Sequence, residues 1–132
     1  MAEKVCLQPC LGLRKESVLC RQAFYAAHED LRPEQTGLGC APALNADVQE
    51  DLDFIALYPV LAMEACEKDC ATKLVAKKGR QAARTVRVVE LAKELGLDLT
   101  SLPEHHIPTD HPAVQAMAKR IAEMVDELLA KT

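Results

Sequence analysis

Apolar residues recur along much of the chain at the spacing of one face of an α-helix. This pattern predicts helices over residues 14–31, over a stretch that begins at Pro42, and over residues 68–78 and 112–131. The apolar positions after Pro42 are spaced as a single helix face and comprise Leu44, Val48, Leu52 and Ile55. The last helix is the clearest, because its apolar stripe runs through the whole segment.

Short apolar or β-branched runs lie between these helices and predict strands. They cover residues 3–7, 36–40 and 58–65, and the third is a near-continuous apolar run of the kind found in sheets covered on both faces. Residues 85–89 form either a fourth strand or the start of one longer helix with residues 90–95, and the pattern leaves both open.

Alternation of strands and helices favours a parallel sheet with helices on its faces. The sequence therefore predicts an α/β fold, a small three-layer domain with a central, mostly parallel sheet of about four strands. We expect the long C-terminal helix to cover one face of that sheet, with pairing to a second copy of the chain as the alternative.

Length, charge and hydropathy limit the classes of function. A chain of 132 residues is expected to form one domain over residues 1–132. The net charge of −4 argues against a nucleic-acid partner, which needs a basic face. The apolar runs are shorter than the roughly 18 residues that span a membrane. The first residues lead into no secretory segment, so we expect a cytoplasmic protein with neither nucleic-acid nor membrane partners.

Six cysteines are the most informative residues, since in a chain that is not exported they more often bind metal or carry redox chemistry than form structural disulfides. Cys10 follows the first predicted strand, Cys40 ends the second and Cys66 ends the third. Cys70 lies on the same helix face as Cys66 if the helix has already begun there. Because the carboxyl ends of parallel strands share one edge of the sheet, these thiols are expected to converge.

Three segments resemble the DGC-domain family, whose members are proposed to bind zinc. They are residues 10–13, residues 38–42, and residues 60–66 followed by Cys70. The central Asp-Gly-Cys of the family is replaced here by Glu64-Ala65-Cys66, so the acid is one methylene longer and the glycine is lost. The resemblance covers roughly residues 4–97.

The resemblance implies a cytoplasmic metal site and no established biochemical role. The ligands carried over from the family are Cys10, Cys40, Cys66 and Cys70. Four thiolates suit one zinc ion, and the same set suits an iron–sulfur cluster.

Three other cysteine and histidine groups have alternative interpretations. Cys6 is either an extra thiol at the edge of the site, able to pair with Cys10, or a buried strand residue. Cys20 is expected to pack in the core, with metal ligation as the alternative. A Pro-flanked segment could supply a nitrogen ligand or form a solvated loop, and its histidines are His105, His106 and His111.

The leading hypothesis is a protein that binds one metal ion, with zinc preferred, and does not turn over a metabolite. It has no identifiable catalytic or nucleotide-binding residues, and a protein partner or a homodimer is compatible with it. The alternatives are a thiol–disulfide protein that uses Cys6/Cys10 and Cys66/Cys70, an iron–sulfur electron carrier, and an interaction module whose cysteines are merely buried.

Overall fold

A computed structural model of the chain describes residues 3–131. Its centre is a parallel sheet of four strands in the order β2-β1-β3-β4. The strands are β1 (Val5–Pro9), β2 (Thr36–Leu38), β3 (Val60–Glu64) and β4 (Arg84–Arg87). Every residue of β1 and β3 is buried, which explains why the third predicted strand is a near-continuous apolar run.

Helices cover both faces of this sheet, so the predicted three-layer α/β fold is confirmed. The helices are α1 (Lys15–Ala26), α2 (Ala41–Asn45), α3 (Gln49–Leu57), α4 (Cys70–Lys77), α5 (Val88–Glu94) and α6 (Pro112–Lys131). A π-helical segment, Ala27–Leu31, extends α1, and one 3₁₀ turn, Leu99–Ser101, follows α5.

The two faces of the sheet have cores of different size. We call the face under α1, α5 and α6 the large-core face, because Leu7, Leu61 and Met63 join the main hydrophobic cluster there. The opposite face, here the small-core face, holds Cys6 and Val60 in a smaller cluster with residues of α2, α3 and α4. The same strands contribute to both cores, because successive residues of a strand point to opposite faces of the sheet.

The C-terminal helix packs on the large-core face, as expected. Its buried residues recur every three or four positions, and Pro112 is its first residue, where the missing N–H costs no helical hydrogen bond. Within residues 3–131, no helix has both the length and the apolar character needed to cross a bilayer.

Two local predictions are resolved by the structure. Arg84–Arg87 is a strand and α5 begins directly after it, so the fourth-strand alternative is correct. The single helix predicted from Pro42 is wrong, because the chain forms α2 and α3 with a break between them. Asp47 takes the left-handed conformation at φ 60°, and Val48 is 43% exposed instead of packing on a shared helix face.

Candidate functional site

A crevice is expected where the order of parallel strands reverses, and here this point lies between β1 and β3. The chain leaves β1 through α1 on the large-core face and leaves β3 through α4 on the small-core face. The backbone N–H of Cys10 donates to the Met63 carbonyl at 2.8 Å, so the two strands stay joined up to Cys10. Cys10 and Cys66 are therefore close to the switch point in the chain.

All four cysteines carried over from the family follow the carboxyl ends of neighbouring strands. Cys10 and Cys66 are half-buried after β1 and β3, and Cys40 is exposed just before α2. Cys70 is exposed as the first residue of α4. None of them forms a disulfide. The predicted placement at one edge of the sheet is thus what the topology gives.

The thiols are nevertheless not gathered around one point. Across residues 3–131, no three side chains from His, Cys, Asp and Glu form a group that could hold a metal ion. Cys66 and Cys70 do not share a helix face, because α4 begins only at Cys70 and the helix has therefore not begun at Cys66. Asp69, directly before it, is left-handed at φ 51°, which interrupts the helical path from Cys66.

The turn between Cys66 and Cys70 is fastened by two acidic residues. The Glu64 carboxylate is 1% exposed and accepts hydrogen bonds from the backbone N–H groups of Ala71 (3.2 Å) and Thr72 (2.7 Å). The Thr72 hydroxyl donates to the same carboxylate at 2.7 Å. Glu64 therefore caps the amino end of α4, satisfying N–H groups that the helix itself leaves unpaired.

Asp69 holds the other side of that turn. Its carboxylate accepts from Arg87 Nε at 2.9 Å and from a second guanidinium nitrogen, and this forked pairing raises the pKa of Arg87. Glu64, which replaces the Asp of the family's Asp-Gly-Cys, thus has a structural role in this chain, because it caps α4. The sequence alone did not show that role, because the partners of Glu64 lie on the following helix.

Cys10 has an environment that the sequence did not predict. Its Sγ lies 3.8 Å from the Ser17 hydroxyl in α1. The Cys20 thiol, also in α1, donates to the Met63 carbonyl at 3.4 Å, the same carbonyl that accepts from the Cys10 backbone. Cys10 is thus close to Cys20 on the large-core face.

The remaining cysteines are core residues. Burial raises the pKa of Cys20 to about 12, and burial, together with the charge of Asp51, raises the pKa of Cys6 to about 12. Cys6 has no exposed surface and packs with Leu44 and Val60. The core expectation for Cys20 is confirmed, and of the two alternatives for Cys6 the structure shows the buried strand residue.

Cys6 and Cys10 also cannot form the predicted redox pair. Residues 5–9 are a strand, and four residues of extended chain span about 13 Å. A disulfide requires Cα atoms within about 7 Å. This half of the thiol–disulfide hypothesis is therefore wrong for the folded protein.

Gln8 provides an observation on what the crevice could bind. Its side chain is 1% exposed, and its Nε2 has no hydrogen-bond partner among residues 3–131. Gly39 stands directly before Cys40. A Cβ at this position would lie 2.2 Å from Gln8 Oε1, so only glycine leaves room for the Gln8 amide. Gln8 lies two residues before Cys10, and an unpaired N–H donor is suited to an acceptor such as a metal-bound thiolate sulfur. The donor chemistry therefore fits a thiophilic metal.

The histidines do not join the cysteines. His105 and His106 are exposed. His111 is half-buried, and its Nδ1 accepts from the backbone N–H of Ala113 at 3.1 Å, at the start of α6. The solvated-loop interpretation suits the first two, and a helix-capping role suits the third.

Comparison with known proteins gives a family but no individual relative. The chain matches neither a curated protein nor a solved structure. The sequence profile of the DGC domain matches residues 6–125, which is nearly the whole chain and includes every cysteine. On that match, the chain belongs to the DGC-domain family.

Proposed function

We propose that this protein binds one metal ion, with zinc preferred, through Cys10, Cys40, Cys66 and Cys70. The observation that supports it most directly is the division of the six cysteines into two sets. Four follow the carboxyl ends of adjacent parallel strands, whereas Cys6 and Cys20 are enclosed in the two cores. Burial explains the core pair without any ligand, and it does not explain the four at the edge.

Four thiolates complete the tetrahedral shell of a structural zinc ion, which supplies a cross-link between the segments that carry them. In this chain those segments follow β1, β2 and β3, and they have to approach one another for binding. Glu64 and Asp69 fix the turn that carries Cys66 and Cys70. Each thiol loses its proton on binding, so loading releases protons.

We infer that the bound metal serves metal handling or the support of a partner protein, and that the protein does not convert a metabolite. Six unpaired cysteines favour a reducing compartment such as the cytoplasm, where thiols stay reduced. The net charge of −4 favours a metal ion or a protein over nucleic acid as the partner.

Elemental analysis of anaerobically purified protein tests this proposal. We expect about one zinc per chain in the wild type and its loss in Cys66→Ser, because three thiolates leave the structural shell incomplete. Cys6→Ser and Cys20→Ser are matched controls that remove buried thiols and should keep the zinc. Detection of iron together with acid-labile sulfide would indicate that the site holds an iron–sulfur cluster and not zinc. Absence of metal in wild-type protein, even after exposure to zinc, would overturn the proposal.

A further inference from the structure

The Met63 carbonyl brings two cysteines together from different elements. It accepts the backbone N–H of Cys10 at 2.8 Å and the thiol of Cys20 at 3.4 Å. The backbone of Cys10 is also within hydrogen-bonding reach of the Cys20 sulfur. This contact lowers the pKa of Cys20, against the larger rise that burial causes. Cys20 is thus the buried thiol that approaches Cys10.

A second contact places the Cys10 side chain on the same face of α1. Cys10 Sγ lies 3.8 Å from the hydroxyl of Ser17, and Ser17 precedes Cys20 by one helical turn. Residues at that separation have Cβ atoms about 5–6 Å apart on one helix face. The two thiols therefore lie on the same side of α1, which is the arrangement that a disulfide between them requires.

The two thiols differ in their access to solvent. Cys10 is half-buried at the edge of the sheet, whereas Cys20 has no exposed surface. A dissolved oxidant therefore reaches Cys10 first. Cys20 is enclosed in the core, so it is shielded from dissolved oxidant and is available only to a group that is already beside it.

We propose that Cys10 and Cys20 form an oxidation site for hydroperoxides. The Cys10 sulfur attacks one oxygen of the hydroperoxide and the O–O bond breaks. The proton of the Cys10 thiol passes to the other oxygen, which leaves as an alcohol or water, and Cys10 becomes a sulfenic acid. The Cys20 sulfur then attacks the Cys10 sulfur, and the S–O bond breaks. The sulfenic hydroxyl leaves as water with the proton of Cys20, and a disulfide of about 2.05 Å remains.

Forming this bond exchanges two weak contacts for a covalent one. The Cys20 thiol leaves the Met63 carbonyl and Cys10 leaves Ser17. The proposal rests on these contacts and not on metal binding, so either proposal can fail alone. If both hold, oxidation removes Cys10 from the zinc ligands and releases the metal.

Peptide mapping tests the pair directly. Chelator-treated protein is exposed to one equivalent of hydrogen peroxide, remaining thiols are alkylated, and trypsin is added. Trypsin cleaves after Lys4, Arg14, Lys15 and Arg21, so Cys20 leaves on a different peptide from Cys10. We expect the main cross-link to join residues 5–14 with residues 16–21.

Matched variants identify the thiols and remove the ambiguity of Cys6, which shares a peptide with Cys10. The Cys6→Ser variant should form the same cross-link as the wild type, although Cys6 is as fully buried as Cys20. Cys20→Ser should lose the cross-link and accumulate a sulfenic acid that dimedone traps at Cys10. Cys20→Ala serves if the serine variant does not fold.

The wild-type map keeps the proposal testable even if neither Cys20 variant folds. A principal disulfide from Cys10 to Cys40, Cys66 or Cys70 would overturn it, as would a principal disulfide between two chains. Oxidation of Cys10 to the sulfinic acid with no cross-link would also overturn it.

Discussion

The two faces of the sheet divide the properties of this protein between them. The large-core face, under α1, α5 and α6, is apolar and holds most of the buried side chains. The small-core face has a thin cluster around Leu44 and Val75, and beside it lie the buried polar groups of Gln8 and Glu64. The comparison indicates that stability comes mainly from one face, while the other face positions polar groups for the cysteine edge.

Equivalent leucine truncations on the two faces would give the largest difference. Leu61 and Leu44 both have no exposed surface, on the large-core and small-core faces respectively. We expect Leu61→Ala to lower the free energy of unfolding by about 4 kcal/mol and Leu44→Ala by about 2 kcal/mol, because the thinner cluster can collapse around the void. Urea unfolding measures both, and equal losses would contradict the division between the faces.

The buried carboxylate of Glu64 is the next largest contribution. Glu64→Ala leaves two backbone N–H groups and the Thr72 hydroxyl without their acceptor, so we expect a loss of about 2–3 kcal/mol. Glu64→Gln keeps one carbonyl acceptor and should lose about half as much. Thermal and urea unfolding of the two variants would show this order, and an alanine variant as stable as the wild type would refute the capping role.

Gln8 predicts an effect of the opposite sign. Its buried Nε2 has no partner among residues 3–131, so the metal-free fold bears a desolvation cost. Gln8→Met keeps the volume without the donor and should stabilise the metal-free protein by about 1 kcal/mol. A loss of stability in the same urea experiment would mean that this amide has an acceptor in solution.

A surface ion pair should contribute least, and its effect should depend on pH. The hydrogen bonds from Arg32 lower the pKa of Asp126 below the ordinary 3.8. The stabilisation of the fold by the Asp126–Arg32 pair is therefore fully present above pH 3.8 and is lost as the pH falls through the lowered pKa of Asp126. The Asp126 carboxylate is 52% exposed, so Asp126→Asn should cost only about 0.5 kcal/mol at neutral pH.

Unfolding measured at several pH values checks this sign. The difference between Asp126→Asn and the wild type should shrink as the solution is acidified below pH 3.8. A difference that grows in acid would contradict the pairing with Arg32.

Periodicity predicted the C-terminal helix because that helix buries a long, regular stripe of side chains, and the apolar runs predicted β1 and β3 because every residue of these short strands is buried. It missed the break at Asp47, since one left-handed residue leaves the apolar spacing intact. It also missed the proximity of Cys10 and Cys20, which depends on Met63 in a strand far along the chain. The sequence also did not show that Ala71 and Thr72 are the partners of Glu64, because that contact depends on how α4 packs against β3.

The most direct test of the central claim measures the alkylation of each cysteine in zinc-treated protein, with and without chelator. Our account predicts that Cys10, Cys40, Cys66 and Cys70 react only after the metal is removed. Cys6 and Cys20 should stay unreactive until the protein unfolds, with or without metal, because both are enclosed in the cores. Rapid alkylation of the four edge cysteines in the presence of zinc would contradict the claim that they bind it.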